Sequence, residues 1–193
     1  MLGLKLPTDP RWANIAESNL EVILTDHAWC EQKAVTNALH IIIQNPEFDD
    51  LVVAMMEIAR EEMEHFKQVH EIILKRGYKF GREEKDDYVG ELFKFMRRGD
   101  GHAMSRVDRL LFAAVIEARS CERFKVLSDN IQDEELAKFY RGLMESEAGH
   151  YTTFLKFAKK YGEDIDVDKR WKEWLEHEAR VIASYGKTEK MHG

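Results

Sequence analysis

Two Glu-x-x-His pairs, Glu62-x-x-His65 and Glu147-x-x-His150, lie inside long stretches of helical apolar periodicity. Residues three apart share one face of an α-helix, with Cβ atoms about 5–6 Å apart. A carboxylate and an imidazole at that spacing can bind one metal ion or two adjacent ones. Such a pair constrains the fold only if other helices complete its coordination. A third pair, Glu189-x-x-His192, stands near the end of the chain and has no such company. In a chain with 36 acidic residues and 8 His, an isolated pair arises readily by chance and reads as a solvated helix face.

The first two pairs gain weight from their place in helical hairpins. Leu20, Ile23, Leu24, Ala28, Val35, Leu39 and Ile42 predict a helix capped by Ser18 or Asn19 and running to Gln44, where Asn45-Pro46 ends it. A second helix, capped by Asp49 or Asp50, runs from Leu51 to Arg76 with Gly77 just beyond. Its expected buried side is Val52, Met55, Met56, Ala59, Met63, Phe66, Val69, Ile73 and Leu74. Ser105 is the expected cap of a third helix from Arg106 to Leu127, and Asp133 that of a fourth from Glu134 to Lys160. The short connections make each pair antiparallel neighbours.

In such a hairpin, groups at one height stand equally far from the turn. Glu31 and Glu62 are 31 residues apart, and Glu117 and Glu147 are 30 apart. Each hairpin therefore sets a lone Glu opposite a Glu-x-x-His pair near mid-helix. Glu122 competes with Glu117, but five residues move it about 7–8 Å along the helix and about 140° around it. Glu117, flanked by Ala113, Ala114 and Ile116, is the better partner for Glu147. Glu122 reads as a surface acid or one supporting the ligands from behind. A buried, unpaired Glu117 would be costly, so it needs a partner such as a metal.

The expected fold is all-α: a ferritin-like four-helix bundle of two antiparallel pairs joined by one long crossover, in a single domain over residues 1–193. A short opening helix follows Asp9-Pro10. The crossover, residues 77–104, holds a loop over Tyr78–Arg82 and an amphipathic helix over Asp87–Arg98, broken by Gly99-Asp100-Gly101. An extra C-terminal helix spans residues 166–185 through Trp171, Trp174, Leu175, Ala179 and Ile182, and Gly186 stops it. Lys187–Gly193 reads as a frayed tail. No repeat of the length found in TPR or HEAT arrays is present.

The candidate metal ligands are Glu31, Glu62, His65, Glu117, Glu147 and His150. Four carboxylates and two imidazoles are hard donors whose negative charge two divalent iron or manganese ions would cancel. No Cys stands among them, which excludes zinc-ribbon and iron–sulfur chemistry. A metal-bound imidazole usually gives its other N–H to a carboxylate or carbonyl. Glu61 can fill that role or lie on a solvated face. His27, one turn before Glu31, reads as a satisfied core histidine. His40, His70, His102 and His177 belong to no such constellation.

A net charge of −7 excludes a protein that coats nucleic acid with its whole surface. Residues 75–109 differ, with ten Lys/Arg against seven Asp/Glu and Tyr78, Phe80 and Phe95 interleaved. That segment can grip a phosphate backbone and stack a base, or simply be a solvated crossover. Lys156, Lys159 and Lys160 suit a helix C-terminus better than a second patch. Two Cys, Cys30 and Cys121, fit a reducing compartment. With no signal-like start and no membrane-length apolar run, the cytoplasm is the expected location.

The stretches Leu24–Ala34, Glu61–Phe66, Ile116–Phe124 and Glu145–Tyr151 resemble the MiaE family, the tRNA 2-methylthio-N6-isopentenyladenosine hydroxylases. The resemblance runs from Leu4 to Gly186, and the segment around Glu117 is its most particular part. It implies a non-haem di-iron monooxygenase with two iron ions on the six residues above. O₂ and an external electron donor would serve as co-substrates, tRNA as substrate and a reductase as partner. The competing expectation is a ferritin- or rubrerythrin-like iron-binding or iron-oxidising protein. Rubrerythrin's Cys-x-x-Cys module is absent. Iron storage would need a shell-like oligomer, which the crossover and extra helix would hinder.

Overall fold

The computed structural model describes residues 2–97, 99–184 and 191. Among them are seven helices and no strand: α1 (Trp12–Ser18), α2 (Leu20–Gln44), α3 (Asp49–Lys75), α4 (Asp87–Lys94), α5 (Gly101–Asn130), α6 (Glu134–Lys160) and α7 (Val167–Ser184). The closest-packed pairs are α2 with α3 and α5 with α6; weaker contacts of α2 with α5 and of α3 with α6 close the ferritin-like four-helix bundle. α7 packs on α5, and α4 packs on α7 and α5. None of these helices is long and apolar enough to cross a membrane.

α5 is the central rod, with 19 of its 30 residues buried. Neighbours surround it, so its sequence shows no single apolar stripe. α3 is the opposite case. Its buried face is Leu51, Met55, Ile58, Glu62, His65, Val69 and Ile73. Glu62 and His65 occupy stripe positions that would otherwise be apolar. Met56, Met63 and Leu74, expected inside, are instead 50%, 49% and 60% exposed. In α2, Leu39 is likewise exposed while Ala38 and Ile41 face the core.

Several helix ends also differ from expectation. Asn19 stands at the N-cap position of α2 but makes no side-chain capping bond; the Ser18 and Asn19 side chains donate to the Asn14 and Ile15 carbonyls of the preceding helix. Asp49 and Asp50 lie within the first turn of α3. There Asp50 accepts from Lys160 and Tyr161, tying α3 to the end of α6. α5 begins at Gly101, one turn before Ser105, whose hydroxyl donates 3.0 Å to the Gly101 carbonyl inside the helix. Gly101 stands at φ +90°, where a side chain would be strained. Asp133 does cap α6, accepting 3.0 Å from the Leu136 amide.

The crossover helix stops at Lys94, earlier than expected, because a buried ion pair captures its end. Arg170 donates to Asp108 at 2.7 and 2.8 Å and to the Phe95 carbonyl at 3.0 Å. Asp108 Oδ2 accepts from the Arg97 amide at 2.7 Å. The aromatic side chains here also turn inward. Phe95 stacks on His177, and Phe80 stacks on Trp29. Much of the basic charge is paired: Lys75 with Glu135, Arg76 with Asp133, Lys94 with Glu91 and Arg97 with Glu173. The crossover is therefore mostly bundle packing and not an open stacking platform. The expected stop at Gly186, the Glu189-x-x-His192 pair and Arg98 lie outside the described residues. The tail is not frayed at Met191, which is buried with its amide donating 2.7 Å to Asp26.

Candidate metal centre

Each of the four long helices brings acid to one level of the core. α2 supplies Glu31, α3 Glu62 and His65, α5 Glu117, and α6 Glu147 and His150; all six are buried. Their ligand atoms form two groups, Glu31–Glu62–His65–Glu147 and Glu62–Glu117–Glu147–His150. Within each group the atoms lie within 4.8 Å of one another. Glu62 and Glu147 belong to both, so each group has its own Glu and His and shares two carboxylates. This overlap is compatible with metal binding by carboxylates and imidazoles.

The short contacts follow that plan. His150 Nδ1 is 2.7 Å from Glu62 Oε1 and 4.0 Å from Glu147 Oε2. His65 Nδ1 is 3.4 Å from Glu62 Oε2 and 3.7 Å from Glu147 Oε1. Glu62 Oε1, Glu147 Oε1 and His150 Nδ1 are closed to solvent and make no aligned hydrogen bond. Lone pairs left this way in a core are costly unless something else receives them. This donor set of carboxylates and imidazoles, which contains no thiolate, fits iron. Cys121 Sγ instead donates to the Met144 carbonyl.

Around the cluster, His27 is fully buried with Nε2 2.5 Å from Glu31 Oε1. It orients that carboxylate. Glu61 reaches across from α3 to α6, its Oε2 2.9 Å from His150 Nε2. It thus serves the imidazole of the other hairpin, a pairing no sequence spacing reveals. Glu122 is not at the surface and belongs to neither ligand group. It is buried and pairs with Arg119.

Two openings approach the centre from opposite sides. Between α3 and α6 runs a groove of about 350 Å³ lined by Glu57, Glu61, Glu145 and His150. Between α2, α4, α5 and α6 lies a cavity of about 60 Å³, lined chiefly by Ala34, Val89, Phe112, Ala113, Ile116 and Phe154, with Glu117 in its wall. Cys30, Lys33, Asn37 and Asp86 supply its polar lining.

Crowding of carboxylates shapes their ionisation. Burial, then the charges of neighbouring acids, pushes Glu31 and Glu147 well above the carboxylate range. Burial pushes Glu117 up too, although a hydrogen bond with Glu147 opposes it. Burial also acts on Glu62, but contacts with His150 and His65 outweigh it and hold that carboxyl below its usual range. For His150, burial lowers the pKa, but Glu62 and Glu147 raise it to about 9. Stability from a raised pKa is complete below the unfolded value and is lost as pH climbs through the folded one. Glu31, Glu117, Glu147 and His150 all act in this sense. Glu62 acts oppositely, but only in acid below its ordinary 4.5. The metal-free protein should therefore melt at lower temperature as pH rises from 6.5 toward 9. Iron-loaded protein should lose this slope, which calorimetry across that range would check.

The sequence model of the family described as tRNA-(MS[2]IO[6]A)-hydroxylase (MiaE) matches residues 2–193. A tRNA 2-(methylsulfanyl)-N(6)-isopentenyladenosine(37) hydroxylase of Pseudomonas putida is 39% identical over 164 residues, 85% of this chain and 78% of that protein. The protein of the same description from Salmonella typhimurium is 29% identical across 98% of this chain and 87% of its own length. Among solved structures, a Synechococcus protein with aldehyde deformylating oxygenase activity superposes with a TM-score of 0.90 at 28% identity, covering 98% of this chain and 95% of that one. With a match across nearly its whole length, on a bundle that gathers buried Glu and His at one level, this chain belongs to the MiaE family of tRNA hydroxylases.

Proposed function

We propose that this protein hydroxylates the isopentenyl group of 2-methylthio-N6-isopentenyladenosine in tRNA. Two iron ions would be held by Glu31, Glu62, His65, Glu117, Glu147 and His150. Bound there, iron would supply oxygen activation, drawing on O₂ and an external electron donor. The observation that carries the reading is the apolar cavity with Glu117 in its wall. A prenyl group is a small branched hydrocarbon, and this cavity offers it aliphatic and aromatic walls beside the metal cluster. A storage protein has no need of such a cavity, and family membership also speaks for the hydroxylase.

The residues divide the work. His27 and Glu61 hold Glu31 and His150 in orientation from outside the cluster. Ile116, Phe112 and Phe154 keep water from the reacting carbon. The decisive experiment is anaerobic iron loading, reduction, and exposure to O₂ with prenylated tRNA. Mass spectrometry should show one oxygen gained on the modified nucleoside. Two irons bound without that gain would sink the hydroxylase reading and leave the fold untouched. Half-buried Ala34 offers a second check. Ala34→Phe should fill the cavity and slow hydroxylation roughly 10–100-fold, as misplacement of a substrate does, while the iron content stays that of the parent.

A further inference from the structure

A larger cleft, about 370 Å³, opens where the C-terminal end of α2 meets the start of α5 and the end of α4. Its lining includes Arg97, Arg106, Arg109, His40 and His102, with Glu47 the one carboxylate among the described lining residues. Two of these guanidiniums are committed, Arg97 to Glu173 at 3.1 Å and Arg106 to Glu163 at 2.7 Å. Arg109 is different. Its Nη1 donates a long 3.3 Å hydrogen bond to Asn37 Oδ1, and its guanidinium lies 5.1 Å over the Phe93 ring. No carboxylate is among its described partners. Burial lowers its pKa without an acid to oppose the effect, the mark of an uncompensated cation. Burial and then Arg109 lower the neighbouring His40 as well.

The cleft adjoins the apolar cavity. Asn37 lines that cavity and receives the Arg109 bond. Phe112 lines it too and meets Phe93 of the cleft edge-to-face at 5.9 Å. Along α5, Arg109 precedes Glu117 by eight residues, about 12 Å of rise. A modified adenosine carries its prenyl group at one end and its phosphate at the other, so the two would be held a nucleotide's length apart.

We propose that this cleft is a phosphate subsite that holds the RNA strand next to the modified adenosine, with Arg109 as its central cation. The inference rests on the tRNA reading above and adds the place where the backbone is gripped. Planar guanidinium suits a phosphate bidentately, and an exposed imidazole at His102 can donate a further bond.

The test is the affinity of a prenylated anticodon stem-loop RNA, measured by fluorescence anisotropy over a salt series. Arg109→Gln should weaken binding about three- to tenfold and flatten the logarithmic salt dependence by about 0.7 for one lost phosphate contact. His102→Gln, on the exposed first turn of α5, should weaken it in the same direction without touching the core. Lys138→Gln, an equal loss of charge on exposed α6 surface, should not. Melting curves establish that each variant folds. Equal RNA affinity in parent, Arg109→Gln and His102→Gln overturns the cleft alone, even if inorganic phosphate binds there as a free ion. A parent chain that binds no prenylated RNA overturns the cleft together with the reading it rests on.

Discussion

Glu117→Ala is expected to leave one iron or none per chain and to abolish hydroxylation, whereas Glu122→Ala should keep the parent's iron content. Glu117 belongs to one of the two ligand groups and to the wall of the apolar cavity. Glu122 accepts 2.9 Å from Thr8 and pairs with Arg119, outside both groups. Its loss removes one partner of a guanidinium that keeps Glu178, a cost of about 1–3 kcal/mol in stability. The metal-free states should diverge in the opposite direction. Glu117 is a buried acid held above its ordinary pKa, so removing it should raise or preserve the melting temperature at alkaline pH. Colorimetric iron counts alongside melting curves would separate the two. Iron lost from Glu122→Ala and kept by Glu117→Ala would reverse the assignment.

Arg119→Leu should cost about 3–5 kcal/mol, the range for breaking a buried ion pair from one side. Against a total stability of about 5–15 kcal/mol, that threatens folding itself. Arg119 is fully buried. It donates to Glu178 at 2.9 and 2.6 Å, to the Leu6 carbonyl at 3.0 Å and to Thr8 at 3.2 Å, besides Glu122. One side chain thus joins α5, α7 and the N-terminal segment. The substitution takes the guanidinium from Glu178, also fully buried, whose Oε1 still accepts from Tyr88 Oη at 3.2 Å. Arg119→Lys should fall between, keeping charge but losing the fork that serves several acceptors at once. Urea unfolding measures both. If Arg119→Leu unfolds at the parent's midpoint, this network is not what holds α7 to the bundle.

The helices and the metal level were legible because both follow a period. Turn residues marked the hairpins, and equal distances from the turns placed Glu31 beside Glu62 and Glu117 beside Glu147. The same periodicity misled where ligands replaced apolar residues. A count of apolar residues alone places Met56 and Met63 inward on α3, but Glu62 and His65 hold stripe positions on that face and the two Met side chains are exposed. Helix caps failed where tertiary contacts took the side chain, as with Asp50 bound to Lys160 and Tyr161. Long-range pairs leave no period at all. Nothing in the sequence connects Arg119 to Glu178, Asp108 to Arg170, or Glu61 to His150. The inward-facing Phe80 and Phe95 were unreadable for the same reason, since their partners Trp29 and His177 lie far along the chain.

The His150–Glu61 contact has a wider meaning for traffic through the bundle. Glu61 and His150 together line the α3–α6 groove, so there the cluster reaches an opening to water. On the α2–α5 side the approach is walled by Ile116, Phe112 and Phe154. The centre therefore has a groove rich in acids on one side and a mostly apolar cavity on the other. Separate openings of unlike polarity would let polar species and a hydrocarbon approach the cluster from different sides.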